Sequence, residues 1–136
     1  MLNYTTVITR VEDMVGTITL NRPEANNTFN IPMAEELNSA LREMDEDTQV
    51  NVVVINANGR NFCTGIDVNY VDGKDMDQYL NWVRLMEQMN LTIARMKKPV
   101  IASVHKIAVA NGIGLVAACD LAIAADQLSL CHPLYN

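Results

Sequence analysis

Aromatic side chains are scarce in this chain: one tryptophan, two phenylalanines and four tyrosines, 5% of 136 residues. Hydrophobic residues nevertheless make up 49%, so the interior must be aliphatic. The length suits one domain, residues 1–136, around a single core. Positive charge is also short, with ten Lys and Arg against sixteen Asp and Glu for a net charge of −6. That argues against a nucleic-acid partner, whose phosphates need a basic stripe. The densest basic cluster, Arg95 with Lys97 and Lys98, suits at most an anionic small molecule.

Histidine is limited to His105 and His132, and the three cysteines, Cys63, Cys119 and Cys131, have no metal-ligand spacing. No metal site is expected. An odd cysteine count suits no disulfide framework and points to a reducing, cytoplasmic setting. No apolar run approaches the ~20 residues of a membrane span, and no signal-peptide pattern opens the chain. A soluble protein with no membrane partner is expected.

What is present is an alternation of strands and helices. Residues 4–9 and 14–20 are rich in β-branched side chains and close enough for a hairpin. A polar loop follows over 21–27. Asn30 is placed to cap a helix with Pro32 in its first turn, and Met33, Leu37, Leu41 and Met44 give that helix one apolar stripe. Residues 52–55 form a short buried strand, and 56–73 a long loop. Asp75 and Gln78 form a capping box for a helix running to about Met96, with Tyr79, Val83, Met86 and Ile93 on one face. Pro99 ends it and starts a strand over 100–104. The order, β-β-α-β, loop, α-β-turn-α-β, implies crossover connections and an α/β fold with a partly parallel sheet. A strand near 128–131 leaves an uncovered edge, and the chain reads as cut short.

Residues 97–126 are the organising stretch: a proline-led strand, a turn at Asn111-Gly112, a short helix over 115–119, then a strand over 121–125. Backbone N–H groups at such a helix N-terminus favour negative charge, and here they are expected to face a substrate oxygen. Gly112 to Ala117 also matches the dinucleotide fingerprint G-x-G-x-x-A, which makes a Rossmann protein the rival reading. Its acidic partner, expected ~20 residues on, is absent, since Asp120 and Asp126 come too early. In the loop 59–68, Cys63 reads as a small buried residue rather than a nucleophile.

Taken together, three blocks resemble the crotonase (enoyl-CoA hydratase/isomerase) superfamily: Leu20 to Asn30 (L-N-R-P-E-x-x-N-x-x-N), Phe62 to Val68 (F-C-x-G-x-D-x), and Lys98 to Asp120 (K-P-V-I-A-x-V, then C-D). The resemblance covers nearly the whole chain and corresponds to about the first half of a family member. It implies a spiral of ββα units, usually assembled as homotrimers or hexamers. It also implies an acyl-CoA thioester substrate, with coenzyme A present as part of that substrate and no separate cofactor. The thioester oxygen would accept from the backbone N–H groups of Ile66 and Asn111. Ala25, Asn26, Thr28, Gly65, Asp67, Val68, Asn69 and Gly112 would line or support the binding path.

This chain departs from the family at several of these positions. Ala110-Asn111-Gly112 replaces a glycine triplet, and Lys106 replaces a glycine. The two glutamates of hydratases fall on Gly114 and Leu134. Two activities follow as alternatives. One is a hydratase/isomerase-type enzyme whose acid or base lies elsewhere, including past residue 136. The other is a catalytically silent acyl-CoA-binding or assembly subunit.

Overall fold

The computed structural model describes residues 3–131. Its main sheet has five strands in the order β1-β2-β3-β4-β6, namely Val7–Glu12, Val15–Leu20, Val52–Ala57, Val100–Val104 and Leu121–Ala124. β1 and β2 are antiparallel; every later pairing is parallel. Helices supply the crossovers: α1 (Ile31–Glu46), α3 (Met76–Arg95) after the short α2 (Val68–Val71), and α4 (Asn111–Ala118). β5 (Ile107–Val109) and β7 (Ser129–Cys131) form a separate parallel pair.

The first hairpin strand starts and ends three residues later than its β-branched run suggests, and the second starts one residue later and ends at Leu20 as expected. The reversal is confined to Asp13 and Met14, both at positive φ (50° and 65°), which is the geometry of a tight two-residue turn. α1 follows its sequence pattern closely. The Asn30 side chain accepts from Met33 N at 2.9 Å, and Met33, Leu37, Leu41 and Met44 are all buried. Lys98 secures the other end by donating from Nζ to Met44 O at 2.7 Å and to Asp47 O at 2.5 Å. This lysine is spent on helix carbonyls rather than on a ligand.

In α3 the capping box forms, with Gln78 N donating to Asp75 Oδ1 at 2.8 Å and Asp75 N to Gln78 Oε1 at 3.2 Å. The buried face differs from the expected one. Trp82, Met86, Met89 and Ile93 enter the core, while Tyr79 stays 42% exposed and Val83 is half-buried. The spacing i, i+4, i+7, i+11 from Trp82 is the fuller helical stripe. The single tryptophan decides the rotation because it has the largest surface to bury.

Two further expectations change. The stretch 56–73 is not all loop, since it contains α2. More important, Asn111-Gly112 is not a turn. The chain reverses at Ala110 (φ 50°, ψ −117°), and Asn111 and Gly112 are the first residues of α4, which ends at Ala118 rather than Cys119. Both glycines of the dinucleotide pattern are therefore helical, and the strand before them lies outside the main sheet. A Rossmann site needs that glycine turn between a strand of the main sheet and its helix.

Candidate active site

Two segments distant in sequence are stitched together at the N-terminus of α4. Cys63 N donates to Ile107 O at 3.2 Å and Val109 N to Cys63 O at 3.1 Å, a parallel bridge between Cys63 and Ala108. Gly112 makes the approach possible, since a Cβ there would lie 2.4 Å from Cys63 O. Gly65 has φ +103°, and a Cβ on it would meet the Ala110 Cβ at 3.2 Å. Glycine is required at both positions, for close contact at one and for backbone conformation at the other.

The same stitching orients two backbone donors. Phe29 N donates to Gly65 O and Asp67 N to Phe29 O, both at 2.9 Å. This parallel bridge uses the groups on either side of Ile66 and leaves the Ile66 N–H pointing elsewhere. Asn111 is the first residue of α4, where helix geometry offers its N–H no internal acceptor. Among the described residues neither N–H has a hydrogen-bond acceptor. Ile66 and Asn111 line one cavity of about 440 Å³, with Ala110 and Gly114 beside them. Its other wall is the flank of α3 with Tyr79, Val83, Glu87 and Asn90, and with Trp82 and Met86 behind. Two polar atoms on this wall, Trp82 Nε1 and Asn90 Oδ1, are buried without a partner among the described residues. A larger groove of about 560 Å³ between α1 and α3 holds surface arginines and acids and neither of these backbone donors.

The sequence matches the enoyl-CoA hydratase/isomerase family over residues 10–134. The chain belongs to that family. It is similar to the trans-2-decenoyl-[acyl-carrier-protein] isomerase of Streptococcus mutans, 30% identical over 139 residues, which cover 99% of this chain and 53% of that protein. It is also similar to the 1,2-epoxyphenylacetyl-CoA isomerase of Escherichia coli, 34% identical over 123 residues, covering 88% and 47%. Its fold superposes on an enoyl-CoA hydratase from Mycobacterium smegmatis with a TM-score of 0.90 at 35% identity, covering 93% of this chain and 50% of that one. The fold is thus crotonase-like, and the chain spans about half the length of the relatives it matches.

The remaining family positions form a shelf beside the cavity rather than its lining. Asn27, fully buried, ties two loops together: its Nδ2 donates to Asn58 O at 2.8 Å and Asn61 O at 2.9 Å, and its Oδ1 accepts from Arg22 N at 2.8 Å. Asn26 takes a left-handed φ of 54° and accepts through its carbonyl from Thr64 N at 3.2 Å, and Thr28 Oγ1 donates to Ala25 O at 2.8 Å. Arg22 bridges to Asp67 at 3.0 Å, with both side chains largely buried. Asp67 also accepts from Asn69 N at 3.1 Å and so caps α2, whose first residue is Val68. Arg22 and Asn27 organise this shelf. The L-N-R-P-E-x-x-N pattern contained both, and the pairing of their side chains required the folded loops.

Cys63 is buried, and burial pushes its thiol up to about 12 despite a hydrogen bond toward Gly65. Cys119 is also raised to about 12, by burial and then by the neighbouring Asp120 charge. Neither is primed as a nucleophile. Asp120 joins α4 to the sheet by accepting from Val100 N at 2.8 Å. Gly114 carries no side chain, and a Cβ there would lie 3.6 Å from Asn90 Nδ2, an ordinary contact with α3. His132 and Leu134 lie outside the described residues. Sequence reading missed the whole α3 wall, including Trp82, Glu87 and Asn90. The signal was the polar Glu87 and Asn90 three residues apart on a helix otherwise read for its apolar stripe. No group of three His, Cys, Asp or Glu among the described residues is placed to hold a metal. No described helix is long and apolar enough to cross a membrane.

Proposed function

We propose that this protein binds an acyl-CoA thioester with its carbonyl oxygen between the Ile66 and Asn111 N–H groups, and that these donors stabilise the enolate formed during hydratase/isomerase-type chemistry. The observation that carries the reading is the pair of unsatisfied backbone donors from two remote segments, both lining one cavity. Negative charge develops on a thioester oxygen when the α-proton leaves. Donors already in place are stronger there than reorganising water, and each is worth about 3 kcal/mol in comparable sites. Backbone groups make the side chains at 66 and 111 free to vary. Coenzyme A enters only as part of the substrate, with the 22–28 loop and residues 66–69 lining its path. Cytoplasmic location and family-type assembly as trimers or hexamers belong to the same proposal; exposed Leu121, Ile123 and Leu130 would suit a covering partner.

The experiment compares Ile66→Pro with Ile66→Val by calorimetric titration of an acyl-CoA. Proline deletes the N–H and valine keeps it, so binding should weaken only with proline, both proteins having melted at the wild-type temperature. Equal effects would refute the donor assignment. In parallel, acyl-CoA should raise the melting temperature and NAD should leave it unchanged. A second reading, a silent acyl-CoA-binding or assembly subunit, is favoured by Gly114. It predicts binding without turnover of crotonyl-CoA or any unsaturated acyl-CoA.

A further inference from the structure

Besides its buried stripe, α3 carries a second one. Leu80, Arg84, Leu91 and Arg95 are spaced i, i+4, i+11 and i+15, which puts them on one face, opposite Trp82, Met86, Met89 and Ile93. Leu80 and Leu91 are 42% and 49% exposed, and both arginines are exposed. A helix face built for water alone is supported by opposite charges four residues apart. Here the residues four away from Arg84 are Leu80 and Gln88, and Leu91 precedes Arg95 by the same step. Glu87, three residues from Arg84, makes no ion pair with it.

This stripe borders the groove of about 560 Å³ between α1 and α3, and Arg42 of α1 stands on the other rim. Arg42, Arg84 and Arg95 make no hydrogen bond or ion pair among the described residues. Asp45, the acid beside Arg42, already accepts from Lys97 N at 2.9 Å and Lys98 N at 3.3 Å. That leaves Glu87 against three arginines. The two helices are pinned together where Thr92 Oγ1 donates to Asn38 Oδ1 at 2.6 Å, so the rims are held in place.

We propose that this groove, with the Leu80–Arg95 stripe, docks an acidic amphipathic helix of a partner protein. The partner's apolar residues cover Leu80 and Leu91, and its carboxylates take the forked guanidinium groups. Arg84 and Arg95 lie about 16 Å apart along the helix axis. Helical side chains lean together toward the N-terminus, so that separation persists at the guanidinium groups. A single phosphate cannot span it, whereas a helix can. The small anion suggested by Arg95, Lys97 and Lys98 in the sequence is therefore too short for the surface that the fold builds. An anionic membrane would meet the whole chain, with its net charge of −6, and would be repelled. A helix meets the groove alone. This docking surface stands whether or not the cavity on the opposite flank of α3 takes a thioester.

The probe is a dye-labelled helical peptide of about four turns, with leucines on one face and glutamates beside them, read by fluorescence anisotropy. The wild-type protein should bind it, and more weakly as salt rises. Arg95→Glu should weaken binding at least about tenfold, while Arg10→Glu, the same charge change on β1, should stay within about twofold. Leu91→Ala should weaken it about threefold. All three side chains are solvent-facing, so the variants should melt with the wild type. Equal effects of Arg95→Glu and Arg10→Glu would reduce the binding to diffuse charge attraction, and an unchanged Leu91→Ala would remove the helix contact; either overturns the proposal. So does failure of the wild type to bind the peptide, including the case in which inorganic pyrophosphate or phosphatidylserine vesicles bind instead.

Discussion

The two flanks of the main sheet are built on opposite terms. On the β1–β4 side, α1 packs on the sheet and α3 packs on α1, and Ile18, Leu20, Leu37, Leu41, Val53 and Ile55 are completely buried. At the other edge every residue of β6 is exposed, with Leu121 and Ile123 63% open, and so is every residue of β7 in the separate pair, with Leu130 55% open. The same aliphatic residue types occur on both sides. What differs is whether a helix lies on them, so hydrophobicity alone does not mark the core. The candidate site sits between the two flanks, hung from the covered side by the Cys63 and Phe29 bridges. Its donors are positioned by backbone hydrogen bonds and a glycine contact, on segments anchored by the fully buried Phe29, Phe62, Cys63, Ala108 and Leu115.

The largest effect should come from breaking the covered side. Leu37→Ala should cost about 2–5 kcal/mol, as a large-to-small change in a filled core does, whereas Leu121→Ala should stay within about 0.5 kcal/mol. Denaturant unfolding of the two variants checks the contrast. Similar losses would mean that the β6 edge is covered in solution.

Next in size is the contact that joins site to core. Gly112→Ala places a Cβ against Cys63 O and should destabilise by roughly 1–3 kcal/mol through overpacking. It should also weaken acyl-CoA binding, because α4 must move off the loop that carries Ile66. A variant with full stability and full affinity would show that the two donors do not depend on this contact.

Ala110 should respond in the opposite direction. Its φ of 50° and ψ of −117° suit glycine, and residues held there cost of order 1–3 kcal/mol. Ala110→Gly should gain about 1 kcal/mol net, after the added flexibility of the unfolded chain. A rise in melting temperature without loss of binding checks this.

The smallest effect lies far from the site, at Glu36. Burial there opposes ionisation, but hydrogen bonds from the Thr6 hydroxyl and backbone N–H (the latter 2.7 Å), and from Thr5, outweigh it and hold the carboxyl below its ordinary 4.5. A depressed folded-state value means this contribution is intact above the ordinary glutamate range. It is lost as pH falls through the lowered value. Glu36→Gln should therefore lower stability at neutral pH and flatten its decline in acid. An unchanged acid limb of the stability curve would count against it.

Much of this protein was legible in the residues themselves. Asn30 with Pro32 started α1, Asp75 with Gln78 started α3, and the Met33–Leu37–Leu41–Met44 stripe named the buried face, because capping and helical periodicity act over a few neighbours. The three family blocks likewise pointed to the crotonase fold. Tertiary structure decided what depends on partners distant in sequence. It turned α3 so that Trp82 is buried and Tyr79 and Glu87 face the cavity. It moved the chain reversal from Asn111-Gly112 to Ala110, because Gly112 had to meet Cys63 inside a helix. It left the N–H groups of Ile66 and Asn111 without acceptors and lining one cavity. A backbone donor looks the same in every residue of a sequence, and only the fold determines which ones remain unpaired.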